Sequence, residues 1–144
     1  MRIAGILMLF SSFSLIGFLF SARLHLRERK LSEAIRYIER IDEEMRGIGD
    51  ELPRILSRIE GEIYIKNGIW HGTEGLKKQD LKVLSSFLSL LGKTDICGQK
   101  KNATTHISLL SDSLAEAKKE KSERSRLYVS LGVLGGAFVC ILLV

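Results

Sequence analysis

The sequence predicts an all-α protein: N- and C-terminal transmembrane helices flank a cytoplasmic antiparallel helical bundle. Three observations carry this expectation. Residues 3–22 and 127–144 hold no charged side chain, in a 144-residue chain with 22 Lys and Arg, 17 Asp and Glu, and net charge +5. Basic residues flank both apolar runs on their inner sides. Between them, apolar residues recur at steps of three and four, the period of a helix with one buried face.

The first element is a helix over residues 1–22. Eighteen helical residues at about 1.5 Å each reach about 27 Å, close to a hydrocarbon core of about 30 Å. Lipid leaves free backbone groups unsatisfied, so such a run has to be helical. Arg2, the apolar stretch and "FSAR" (Phe20–Arg23) also resemble a cleaved secretory signal. The uncharged run is longer than a usual signal core, which favours a retained helix. Residues 127–144 form the matching helix at the other end. Arg23, Arg27, Arg29 and Lys30 follow the first run, and Lys118, Lys119, Lys121, Arg124 and Arg126 precede the second. Lys and Arg are retained on the cytoplasmic side, so residues 23–126 are expected to be a cytoplasmic domain. The same residues account for the positive balance without nucleic acid, since no aromatic side chain interleaves them as a single-strand binder requires.

Within the domain, Leu24, Leu31, Ile35, Ile38, Ile41, Met45 and Ile48 share one helix face. Arg36, Glu39, Arg40, Glu43 and Glu44 fill the other, and Asp42, Glu43 and Glu44 read as a solvated carboxylate cluster. Gly47 and Gly49 loosen the chain. Asp50 can cap a new helix, and Pro53 suits its first turn. Leu52, Ile55, Leu56, Ile59 and Ile63 continue that helix, and Lys66-Asn67-Gly68 breaks it. Residues 66–75 carry Trp70 and His71 among three glycines. Helical spacing returns with Leu81, Leu84, Phe87, Leu88 and Leu91. Gly92 is placed for a left-handed helix end, and Thr94 or Asp95 for the next cap. Ile107, Leu110, Leu114 and Ala117 mark the last face, interrupted upstream only by Gly98 and Lys100–Thr105. That helix is expected to run on into the second membrane helix. No strand-length alternation stands out.

Chemical signatures are sparse. Gly92-Lys93-Thr94 lacks the glycine five residues earlier that a phosphate loop requires, since Phe87 stands there. His25, His71 and His106 have no His or Cys at zinc-ligand spacing. Cys97 and Cys140 are not expected to pair, and Cys97 reads as a small buried residue. Asn102-Ala103-Thr104 matches a glycosylation acceptor that a cytoplasmic placement leaves idle. No catalytic residue, cofactor or metal site is expected. Gly132 and Gly136, with Gly135 beside them, form a small-residue face on the second membrane helix, and Gly17 and Ser21 repeat that spacing on the first. Small residues four apart let membrane helices approach closely, within one chain or in a homo-oligomer.

"LLGKTDICGQ" (Leu90–Gln99) resembles the Leu-Gly-x-x-Asp-x-x-x-Gln turn of the stage III sporulation protein AB family. This singles out Gly92, Asp95 and Gln99 as structural turn residues. "SLGVLGGAFVCILLV" (Ser130–Val144) is similar to that family's ending, and "LKKQDLKVLSSF" (Leu76–Phe87) and the charged approach from Ile107 to Tyr128 also fit. The stretch from Lys66 to Gly75 is shorter than the family's connection, which bears on the number of helices between residues 66 and 95. The resemblance implies a non-enzymatic assembly platform of the sporulation channel between mother cell and forespore. It implies a place in the mother-cell membrane facing the forespore, and a soluble domain similar to the platform protein of type II secretion and type IV pilus systems. The implied partners are a cytosolic ATPase of the stage III sporulation protein AA type, other channel proteins and the lipid membrane. The competing reading is a holin-like two-helix protein that forms oligomeric lesions. It requires a polar membrane stripe and a dispensable soluble part. A third reading, an enzyme with a site at Trp70–Gly75, rests on Trp70 and His71 alone.

Overall fold

The computed structural model describes the backbone of residues 2–47 and 51–143; the side chains of 2–7, 9, 10, 13, 14, 140, 142 and 143 lie outside that description. The element order is α1 (Arg2–Gly47), α2 (Leu52–Arg58), β1 (Tyr64–Lys66), β2 (Ile69–His71), α3 (Lys78–Leu90) and α4 (Ile96–Leu143). The protein is therefore mostly helical, with a small antiparallel sheet that the all-α expectation omits. The chain divides into two compact units, one of residues up to Leu26 and from Ala117, the other of Arg27–Glu116.

The expected membrane helices correspond to the outer parts of α1 and α4. Among the described residues no helix is long and apolar enough to cross a membrane. Part of both expected spans, including the side chains of residues 1–7 and 142–144, lies outside the described residues. Ile48, Gly49 and Asp50 lie outside them too, and with them the proposed Asp50 cap.

In the unit of Arg27–Glu116, α1 buries Leu31, Ala34, Tyr37, Ile38 and Ile41. Those steps of three and four place one stripe inward. Full burial of each large aliphatic side chain contributes about 1.5–3 kcal/mol. The acidic cluster divides. Asp42 is buried and pairs with Arg46 one turn on, while Glu43 stays exposed. The solvated-face reading thus fails at Asp42, because the position lies beside the buried Ile41 stripe.

α2 is shorter than its apolar spacing suggests. It starts with Pro53 in the first turn and ends at Arg58, where Ile59 turns extended with ψ 107°. Ile59, Ile63 and Ile65 remain buried, but Ile63 and Ile65 alternate with exposed neighbours as a strand does. β1 and β2 pair antiparallel with Tyr64 opposite His71, Ile65 opposite Trp70 and Lys66 opposite Ile69. The link is Asn67-Gly68, with φ 53° and 71°. Positive φ at both central residues is the two-residue hairpin turn whose twist matches that of the strands. Here Asn67-Gly68 joins two strands, so the break after residue 65 reverses a strand rather than ending a helix. Between residues 66 and 95 there is one helix, α3.

α3 buries Asp80, Leu84 and Phe87, and Leu81 is exposed. α4 runs through Gly98 and Lys100–Thr105 without interruption. It buries Ala103, His106 and Leu110, one and then two turns apart on the same face. Asn102, Ala103 and His106 occupy the inner face, so the polar run sends Asn102 and Ala103 into the core while Lys100, Lys101, Thr104 and Thr105 stay exposed.

Candidate functional site

Three constructions in the chain fix side chains with defined geometry. The first is a buried ion pair in the unit of Arg27–Glu116. Arg27 comes from α1 and Asp80 from the third position of α3. Arg27 Nε donates to Asp80 Oδ2 at 3.0 Å and Arg27 Nη2 donates to Oδ1 at 3.3 Å. Asp80 Oδ2 also accepts the Lys77 backbone N–H at 3.0 Å, which satisfies a free donor at the start of α3. Glu116 approaches Arg27 Nη1 at 3.7 Å and accepts from Lys77 Nζ at 3.0 Å. Burial would raise the Asp80 carboxyl, but the Arg27 hydrogen bonds, the Lys77 N–H, the Arg27 charge and Ser113 together hold it below its ordinary value. A carboxylate so held is a structural tie; a general acid needs the opposite shift.

The second construction is the turn Leu90–Gln99. Leu91 closes α3 and Gly92 follows with φ 77°. A side chain there would be strained, and an added Cβ would stand 3.1 Å from Leu52 Cδ2. Asp95 Oδ1 accepts the Gly98 N–H at 2.9 Å, the geometry of an N-cap for α4. Gln99 is buried and reaches back: its Nε2 donates to Leu90 O at 3.2 Å and to Thr94 Oγ1 at 3.0 Å. Gly92 turns the chain, Asp95 starts the helix, and Gln99 fastens the end of α3 to that start. Cys97 in this turn is exposed, contrary to the buried reading, because it falls with Ile96 on the outer side of the first turn of α4, whose inner side is taken by Gln99.

An aromatic group closes the same unit. Trp70 Nε1 donates to Leu84 O at 2.8 Å, with Tyr37 and Phe87 at ring distances of 5.7 and 6.2 Å. Tyr37 OH accepts the Ile65 N–H at 3.1 Å, and burial pushes the phenol up against the pull of that bond. His106 Nδ1 lies 2.8 Å from Asn102 O and meets Phe87 edge-on. His71 stacks on Tyr64, while His25 is exposed. Trp70 and His71 therefore have packing roles, and among the described residues no group of His, Cys, Asp and Glu could hold a metal ion. An open apolar groove of about 860 Å³ lies between α2 and the hairpin, lined in part by Leu52, Leu56, Tyr64 and Ile65.

The third construction is the seam between α1 and α4 in the other unit. Gly17 is buried, and a Cβ built on it would stand 2.6 Å from the Tyr128 carbonyl oxygen and 3.4 Å from Gly132 Cα. Four residues on, Ser21 Oγ lies 2.5 Å from Ser125 Oγ. Phe20 and Tyr128 rings are 5.6 Å apart. Gly17 and Ser21 thus meet an antiparallel α4 at Gly132, Tyr128 and Ser125. Gly136 is also buried, whereas a Cβ on Gly135 would meet nothing within 4 Å. The outward face of this seam carries large apolar side chains: Leu15, Phe18, Leu19, Leu131, Leu134 and Phe138 are 56 to 65% exposed.

Sequence spacing alone points to Gly92, Asp95, Gly17, Ser21 and Gly132. It does not point to Arg27 with Asp80, which lie on separate helices; only the position of Asp80 at the start of α3 is a local signal.

No curated protein and no solved structure matches the chain significantly. The family model described as stage III sporulation protein AB matches residues 2–66 and 64–144, two pieces that meet at strand β1. Together they span nearly the whole chain, and the protein belongs to the stage III sporulation protein AB family.

Proposed function

We propose that this chain is a non-enzymatic membrane platform of the sporulation channel, anchored by α1 and α4 in the mother-cell membrane that faces the forespore. Family membership carries the role in stage III sporulation. The observation that supports anchoring is the seam itself. Its inward face is closed by Gly17, Ser21 and Gly132, and its outward face is large and apolar. Water penalises such a surface by about 25 cal/mol per Å², and lipid does not. The domain of residues 23–126 then faces the cytoplasm, where a cytosolic ATPase of the stage III sporulation protein AA type docks on it alongside other channel proteins. The ordered core of Arg27–Glu116 weighs against a holin-like lesion former, which has no use for one.

Recruitment tests this reading. The ATPase, expressed with the full chain, is expected to move from the cytosol to the membrane fraction. An ATPase that stays cytosolic, beside a chain that is itself in the membrane, would remove ATPase docking from the account.

A further inference from the structure

We propose that the α1–α4 seam unit holds an anionic phospholipid in a specific site, with its phosphate on Arg23 and an acyl chain along Ile16, Leu19 and Phe20. The inference rests on the membrane reading above. Those four residues line one cleft of about 200 Å³. They stand at positions i, i+3, i+4 and i+7 of α1, so they form a single stripe along the helix. The stripe is about 10 Å long from Ile16 to Arg23. It is apolar for its first three members and cationic at the last. That order along the membrane normal matches a phospholipid, with the tail toward the bilayer centre and the phosphate at its edge. Arg23 is exposed and has no ion-pair partner among the described residues. Its guanidinium can therefore grip a phosphate in a forked pair of hydrogen bonds.

Charge favours an anionic lipid over a zwitterionic one. Residues 27–116 carry 15 basic and 15 acidic side chains, so the net charge of +5 lies wholly in the two segments that form the seam unit. There Arg23 is joined by Lys118, Lys119, Lys121, Arg124 and Arg126, opposed by Glu120 and Glu123. Basic clusters beside a membrane helix attract anionic headgroups. The cleft adds what a diffuse cluster lacks, a fixed place for one chain beside one cation.

The test uses the full chain, purified in nanodiscs of equal phosphatidylglycerol and phosphatidylcholine, then released in native mass spectrometry. The parent is expected to retain phosphatidylglycerol over phosphatidylcholine. Arg23→Gln should reduce that preference at least about threefold, Arg23→Lys should keep most of it, and Lys119→Gln, an exposed cation of the basic cluster that does not line the cleft, should reduce it clearly less than Arg23→Gln. Equal retention of both lipids by the parent, or equal losses in Arg23→Gln and Lys119→Gln, would overturn the site. Carbonate extraction of the same proteins separates the two readings. If the parent stays in the membrane but shows no preference, only the lipid site fails. If carbonate strips it off, the membrane reading fails with it.

Discussion

The guanidinium of Arg27 and the carboxylate of Asp80, 53 positions apart, meet through two hydrogen bonds of 3.0 and 3.3 Å. Asp80 is fully buried and Arg27 is 4% exposed. The pair ties the start of α3 to α1. Removing one partner strands the other charge, so Asp80→Ala is expected to destabilise the chain by about 3–5 kcal/mol. The double replacement Arg27→Met with Asp80→Leu leaves no stranded charge and should cost less than Asp80→Ala alone. Trp70 is the single tryptophan and lies beside α3, so its fluorescence can follow the melts. Equal melting of parent and Asp80→Ala would show that the pair contributes nothing.

The same pair sets an acid sensitivity. The folded Asp80 lies below its ordinary value of 3.8. A group depressed in the fold contributes its full stability above the unfolded value, and loses it as pH falls through the folded value. Stability should therefore hold from neutral pH to about 4 and fall below that. Asp80→Asn should flatten this acid limb. Stability curves against pH for the two proteins check it, and parallel curves would assign the acid limb to other carboxylates.

At the turn, Gly92→Val forces a branched side chain to φ 77° and toward Leu52. A loss of about 1 kcal/mol or more is expected. Asp95→Ala removes the acceptor of the Gly98 N–H and should cost about 0.5–2 kcal/mol. Gln99→Leu leaves the Leu90 and Thr94 acceptors unmet and should weaken the same turn. Thermal melting of the three variants checks this; unchanged midpoints would move the role of these residues from folding to partner contact.

In the seam, Ser21→Cys with Ser125→Cys should crosslink rapidly under mild oxidation, since the parent hydroxyls are 2.5 Å apart. Adding Gly17→Leu should suppress that crosslink while leaving the chain in the membrane fraction, because its side chain collides with the Tyr128 backbone. Gly132→Leu with Gly136→Leu should act in the same direction. Gly135→Leu should not, since nothing stands within 4 Å of its Cβ position. Crosslinking that ignores Gly17→Leu would mean that the glycines are incidental.

How far the chain can be read in advance depends on the range of each signal. The helix periods of α1 and α3 repeat over several turns, so Ile38, Ile41, Leu84 and Phe87 announce their inward faces. Gly92 and Asp95 signal locally, because a left-handed end and an N-cap are each set by one residue. The hairpin is different. Strands of three residues are too short to display alternation, and Asn67-Gly68 serves equally as a helix break and as a hairpin turn. Ile59 and Ile63 keep a helical spacing from Ile55 although the helix has ended at Arg58. Cys97 and Asp42 exchange their expected exposures because burial there depends on which helix packs above, which spacing along one helix does not encode. Arg27 and Asp80 have no common signal in the sequence, being joined only by tertiary packing.

The central claim, an anchored pair of helices with a cytoplasmic domain, is tested most directly by cysteine labelling in vegetative cells that express the full chain. With Cys97 and Cys140 replaced by serine, single cysteines are placed at Val144, Lys78 and Lys119, and intact cells receive a membrane-impermeant maleimide. Val144→Cys is expected to label before lysis, and Lys78→Cys and Lys119→Cys only after permeabilisation. Labelling of Lys78→Cys or Lys119→Cys in intact cells, or protection of Val144→Cys until lysis, would contradict the account.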